Sequence, residues 1–195
     1  LKSSFLAMPE KAKTFRPLIF SESQSCDFDK ALFSISPAAF TNLYLPLLHR
    51  SGYVAPNLGD HGLSFESPGG FVMESIPGLY KNVIVLDFKS LYPSIMQTFC
   101  IDPLGLIRGL EEPDNAIAGF KDAFFSRTEH HLPNLIKKLA SSRQHAKNTA
   151  QPMLSQAIKI IMNSLYGVLG SKGCRFYDPR LSSSITLRGH EIMQT

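Results

Sequence analysis

Apolar positions recur along this chain with two different periods, and the periods divide it into elements. Between Ala38 and Arg50 they fall at 40, 43, 44, 47 and 48, the spacing of an amphipathic helix. Leu132, Leu135, Ile136 and Leu139 form an i, i+3, i+4, i+7 stripe, which Arg143 and Lys147 extend as an i, i+4 basic pair. Asn148-Thr149-Ala150-Gln151-Pro152 interrupts the pattern, and a second helix is expected from about Met153 to Tyr166. Two helices joined by so short a polar turn predict an antiparallel hairpin. A last helix is expected from Leu181, through Ser184-Ile185-Thr186. Val83-Ile84-Val85-Leu86 is of another kind, a continuous β-branched run that predicts a buried strand. Asp87 ends it, and Ser90, Tyr92, Pro93 and Ser94 turn the chain sharply into a helix. Gly52 to Gly78, rich in Gly, Pro, Asn and Ser, reads as loops and short strands. Residues 1–35 lack sustained periodicity and read as a loosely structured lead-in.

Two segments carry candidate chemistry. A carboxylate at a strand tip, beside a turn of exposed backbone N–H groups, suits a metal ion meeting a phosphate. Taken alone, Asp87 fits a helix cap at least as well. On the second helix, at about 100° per residue, Lys159, Asn163 and Tyr166 share one face while Ile158, Ile161 and Leu165 cluster opposite. That helix presents a cation, an amide and an aromatic ring together. An ordinary amphipathic helix with solvated polar residues has the same period.

Composition narrows the classes without choosing among them. The 195 residues suffice for one large domain or two small ones with a sizeable core. A net charge of +4 and a pI near 9.0 suit a polyanionic partner, though so modest an excess is common. Cys26, Cys100 and Cys174 are odd in number and far apart, which argues against a disulfide framework or a zinc site and for reduced thiols. His130 and His131 are adjacent and point to surface or capping roles. No apolar run approaches eighteen residues and no signal peptide opens the chain, so neither a membrane partner nor export is expected. The first residue is Leu, as expected of an excised piece.

The string Asp87-x-x-Ser-Leu-Tyr-Pro-Ser94 and the string Lys159-x-x-x-Asn-Ser-x-Tyr-Gly167 resemble motifs A and B of family B DNA polymerases, in the order and spacing of a short-fingered member. Ser51 to Gly59, Ile101-Asp102-Pro103 and Arg175 to Arg180 look most like the bacterial polymerase II branch. The resemblance runs from about residue 36 to 195. It implies an α+β fold: a partial palm, an antiparallel sheet with helices, over 36–118 and 171–195, and a two-helix fingers hairpin over 119–170. Ser67-Pro68-Gly69-Gly70 resembles the family's Tyr-x-Gly-Gly element, which contacts the template, with Ser67 in place of Tyr; a plain turn is the other reading. Gly189-His190 stands where the family usually has Gly-Arg.

The implied activity is template-directed transfer of a deoxynucleotide to a primer 3′-hydroxyl. Two Mg²⁺ ions about 3.5–4 Å apart serve such a reaction, and Mg²⁺ takes few protein ligands. On the resemblance, Asp87 is a bridging carboxylate and the Phe88 carbonyl a second ligand. The N–H groups of Ser90, Leu91 and Tyr92 cradle the triphosphate, Arg143, Lys147 and Lys159 offset its charge, and Asn163 adds a hydrogen bond. The Tyr92 ring lies under the incoming sugar and excludes a 2′-hydroxyl. Tyr166 and Gly167 lie near the nascent base pair, and Gly69 and Gly70 approach the template. The partners implied are primer–template DNA, dNTPs and a sliding clamp reached through other regions, with no membrane, in a bacterial cytoplasm and at the nucleoid.

A second metal-binding carboxylate is expected from a Tyr-Gly-Asp-Thr-Asp-type hairpin after motif B, and neither Asp178 nor Glu191 has that context. The chain alone is therefore expected to be inactive. Two other readings share the motifs: a non-catalytic DNA- or nucleotide-binding remnant, and a protein-primed polymerase, which extra insertions beside the palm would favour.

Overall fold

The computed structural model describes residues 37–59, 65 and 67–194; the lead-in expected over 1–35 and the thiol of Cys26 lie outside them. Among the described residues six α-helices carry the fold: α1 (Pro37–Arg50), α2 (Leu91–Thr98), α3 (Pro103–Glu111), α4 (Leu132–Asn148), α5 (Pro152–Leu169) and α6 (Pro179–Gln194). A two-stranded antiparallel sheet, β1 (Ile117–Ala118) and β2 (Phe124–Phe125), joins Ile117 to Phe125 and Ala118 to Phe124. The class is α+β, with far less sheet than the sequence led one to expect.

The helical stripes behave as their periods require. α1 buries Phe40, Tyr44 and Leu48, while Leu43 faces solvent. It closes on Gly52, whose φ of 84° suits the residue after a helix, with its N–H on the His49 carbonyl. α4 buries Leu132 and Ile136, with Leu135 and Leu139 packed at the edge of the core. α5 buries Ser155, Ile158, Met162, Leu165 and Leu169, so Met162 takes the inward place expected of Ile161, which is half-buried. The three residues between α4 and α5 let the two helices pack side by side, and α2 lies across both and against α6. From Pro179 to Thr186 every residue of α6 is buried, and Ser182 Oγ donates to the Pro179 carbonyl at 3.3 Å while Ser183 Oγ has no partner among the described residues. The Phe120 N–H donates to Ser184 Oγ at 3.0 Å.

One buried carboxylate organises three helices. Asp102 caps α3, its Oδ2 accepting from the Gly105 N–H and the Tyr44 hydroxyl, both at 2.8 Å. Its Oδ1 accepts from His131 N at 3.1 Å and Leu132 N at 2.7 Å, the start of α4. The Tyr44 hydroxyl in turn accepts from Leu104 N. Burial first, then the charge of Asp102, holds the Tyr44 phenol well above its ordinary value. Burial holds the His131 ring below the histidine range, against the opposing pull of Asp102. Neither His130 nor His131 caps the helix with its side chain; the Asp102 carboxylate caps the start of α4 instead.

The segment Val83–Leu86 is not a buried strand. Its four side chains are between 68% and 89% exposed, and the backbone forms no ladder. A strand takes its stability from hydrogen bonds and side-chain pairs on a neighbour. Among the described residues no strand lies beside it.

Candidate nucleotide and template site

A cleft of about 290 Å³ opens between α2 and α4. Lys89, Ser90, Pro93, Ser94 and Gln97 line one wall, and Ala140, Arg143, Gln144 and Lys147 line the other, with Met162 of α5 between them. Each wall is one face of a helix, since 90, 93, 94, 97 and 140, 143, 144, 147 both follow i, i+3, i+4, i+7. Ala140 leaves the space that a longer side chain would fill. Lys89, Arg143 and Lys147 bring three positive charges to this space and no carboxylate lines it. The Arg143 Nε is buried without a hydrogen-bond partner. A buried donor left unpaired costs roughly 1–3 kcal/mol.

The N-terminus of α2 meets this space. Ser90 holds φ 56° and makes no side-chain cap, so the first N–H groups of α2, at Leu91 and Tyr92, have no partner within the helix. Helix starts of this kind attract anions. Beside them the rings of Tyr92 and Tyr166 lie 4.6 Å apart at 45°, joining α2 to α5. Burial, then Tyr92, pushes the Tyr166 phenol above its ordinary value, which keeps it a neutral hydroxyl.

A family model described as DNA polymerase family B matches residues 28–195. The chain belongs to that family. It is 57% identical over 161 residues to DNA polymerase II of Escherichia coli (strain K12), a match that takes in 82% of this chain and 20% of the relative. It is 38% identical over 149 residues to the DNA polymerase alpha catalytic subunit of Oryza sativa subsp. japonica, 69% of this chain and 9% of that one. Among solved structures it resembles the family B DNA polymerase of Pyrobaculum calidifontis, with a TM-score of 0.59 at 27% identity, covering 81% of this chain and 23% of the other. The chain thus spans about a fifth of the length of the E. coli relative.

In this family B chain, the fold brings Ser90, Arg143 and Lys147 to one cleft and Tyr92 to Tyr166. Gly70 joins them, for a Cβ there would come within 3.5 Å of the Tyr92 hydroxyl. Lys159 and Asn163 lie on the exposed face of α5 and do not line the cleft. Gly167 faces open space, and Gly69 is exposed. Asp87 and Phe88 sit on the exposed segment before α2. Sequence reasoning missed Lys89, Ser94, Gln97 and Gln144 as cleft residues. The helical period, counted forward from Ser90 and back from Lys147, would have found the last three.

Proposed function

We propose that this chain supplies the nucleotide- and template-binding part of a DNA-directed DNA polymerase, which joins dNTPs to a primer 3′-hydroxyl on a DNA template. The observation that carries this reading is the cleft: three cations and a free helix start converge on a space of about 290 Å³. Such a site fits a polyphosphate better than any uncharged ligand. Arg143 and Lys147 hold the phosphate tail from α4, and the N–H groups of Ser90, Leu91 and Tyr92 hold it from α2. Lys159 and Asn163, on the exposed face of α5, add a cation and an amide to the phosphate site in the same reading. In the same reading, residues 36–118 and 171–195 belong to a palm and 119–170 to fingers.

The metal ligands present fit a share of a two-ion site. Asp87 and the Phe88 carbonyl offer oxygen donors, and among the described residues no group of three metal-ligating side chains forms. Mg²⁺ commonly takes one or two carboxylates together with substrate phosphates and water, so a lone carboxylate suits half of such a site. Bound there, the ions would lower the pKa of the 3′-hydroxyl and offset charge on the departing pyrophosphate. Asp87 orients that centre, and Arg143 and Lys147 stabilise the leaving group. Primer–template DNA, dNTPs and a sliding clamp are the partners in this reading, in a bacterial cytoplasm and at the nucleoid. No helix among the described residues is long and apolar enough to cross a membrane.

The test is a chimaera in which this chain replaces the matching stretch of the E. coli polymerase. Arg143→Ala, Lys147→Ala and Lys159→Ala should each weaken dNTP use roughly tenfold to a hundredfold, the worth of a charged hydrogen bond, with little change in duplex affinity. Lost primer–template binding with normal dNTP kinetics would assign these cations to the DNA backbone instead.

Sugar selection tests the second wall. Tyr92 packs between Tyr166, Gly70 and Gly189, so its ring has little freedom to retreat. Tyr92→Ala in the chimaera should raise ribonucleotide incorporation while leaving deoxynucleotide binding largely intact. Single-turnover discrimination equal to the parent's would remove Tyr92 from that role.

A further inference from the structure

The eight residues of α2 are too few to hold a helix by themselves, so its direction comes from what packs on it. Its start faces the cleft. At its other end Phe99 closes it, with its N–H on the Ile95 carbonyl at 3.0 Å. The Arg188 guanidinium, from α6, lies over the Phe99 ring, its central carbon 4.4 Å from the centroid. The same carbon lies 5.1 Å from the centroid of Phe120, in the loop between β1 and β2. Arg188 also donates to the Ala118 carbonyl of β1 at 3.0 Å and to Glu191 at 2.6 Å. The β1–β2 loop is a firm base for these contacts, because Phe120 is bonded to Ser184 of α6. A Cβ on Gly119 would come within 2.6 Å of the Phe125 ring and 2.7 Å of Ser184 Oγ, so only glycine lets the loop sit this close. One guanidinium thus joins the end of α2, the β1–β2 loop and α6. A flat guanidinium stacks on rings while its N–H groups reach acceptors in its own plane, which an ammonium does not do.

We propose that Arg188 is a positioning residue, whose guanidinium clamps the Phe99 end of α2 to the β1–β2 loop and so aims the N–H groups of Leu91 and Tyr92 at the nucleotide. Arg188 does not itself line the cleft. A helix of this length is about 12 Å long, so a tilt of about 10° about the Phe99 end moves its start by about 2 Å. That is enough to part an N–H from a phosphate oxygen. A wall ordered before the nucleotide arrives costs less to organise on binding, so losing the clamp weakens dNTP affinity more than the chemical step. The clamp stands on these contacts alone; its effect on dNTP use rests on the polymerase reading.

The experiment pairs two measurements. In the 195-residue chain, Arg188→Ala should shift the amide resonances of Leu91 and Tyr92 and leave those of α1 in place, the control for folding. In the chimaera with the E. coli polymerase, Arg188→Ala should raise the dNTP KM about tenfold and leave kcat within about twofold. Arg188→Lys keeps the charge without the flat stack and should behave as Ala does. Phe99→Leu should raise KM too, and adding it to Arg188→Ala should cost little more, since both break one contact. Leu48→Ala, a core truncation in α1, measures the effect of lost stability and should leave KM alone. Leu91 and Tyr92 resonances that stay in place in Arg188→Ala would overturn the clamp, and a Lys variant equal to the parent would replace the ring contacts with plain charge. A KM unchanged in Arg188→Ala, or raised as much in Leu48→Ala, would overturn the positioning role. A parent chimaera that uses no dNTP would overturn the polymerase reading and that role together, the resonances still deciding the clamp.

Discussion

Asp87→Asn, made in the chimaera with the E. coli polymerase, is expected to lower single-turnover primer extension by at least about 10³-fold. The amide keeps the size of the side chain and removes the charge. If Asp87 holds the metal pair, the loss is several kcal/mol of transition-state stabilisation, and about 1.4 kcal/mol makes each tenfold. Ground-state dNTP affinity should change far less, because Arg143, Lys147 and the α2 N–H groups still hold the phosphates. The 195-residue chain alone is expected to extend no primer, since Asp87 needs a partner carboxylate that Asp178 and Glu191 do not provide. Asp178 is committed to Arg180, with an oxygen 2.7 Å from its guanidinium, and Glu191 to Arg188 at 2.6 Å. Extension by the chimaera carrying Asp87→Asn at the parent rate would remove Asp87 from the chemistry. Extension by the isolated chain, abolished by Asp87→Ala, would show that it completes the site by itself.

The second large effect is on stability. Asp102→Ala strips the acceptor from three buried donors, the Tyr44 hydroxyl and the N–H groups of Gly105 and Leu132, and from the half-buried His131 N–H. At roughly 1–3 kcal/mol for each donor left unpaired, the loss should exceed about 4 kcal/mol, against a total stability on the order of 5–15. Asp102→Asn retains one acceptor oxygen and should lose about half as much. Urea unfolding of the three proteins measures this directly. An Asp102→Ala midpoint that matches the parent's would mean that water replaces the carboxylate, and that the three helix ends do not depend on it.

The helices α1, α4 and α5 were legible because each is amphipathic on its own, whereas α3 was not read from the sequence. Phe40, Tyr44 and Leu48, or Leu132 and Ile136, declare a buried face through their spacing, whatever that face packs against. Pro152 marks the break before α5 for a local reason too, a missing N–H. The strand Val83–Leu86 was misread because a strand has no internal hydrogen bonds, and its burial depends on a neighbour that local sequence does not name. The extra sheet expected of a palm failed on the same ground. Ile161 and Met162 exchanged places because adjacent residues lie about 100° apart, and a small rotation of α5 decides which one turns inward.

By itself, the sequence determined the family, through two motif strings, along with every described α-helix except α3 and the residue types any phosphate site would need. Tertiary structure alone decided which of those residues meet. It faced the Ser90 stripe to the Arg143 stripe and kept Lys159 and Asn163 apart from them. It set His190 on Gly69 across more than a hundred residues of chain, and turned Asp102 from a local cap into the junction of α1, α3 and α4. Helical period is a property of neighbours in sequence and can be read from them. Which helix faces meet is settled by burial summed over the whole core, and no single segment carries that sum.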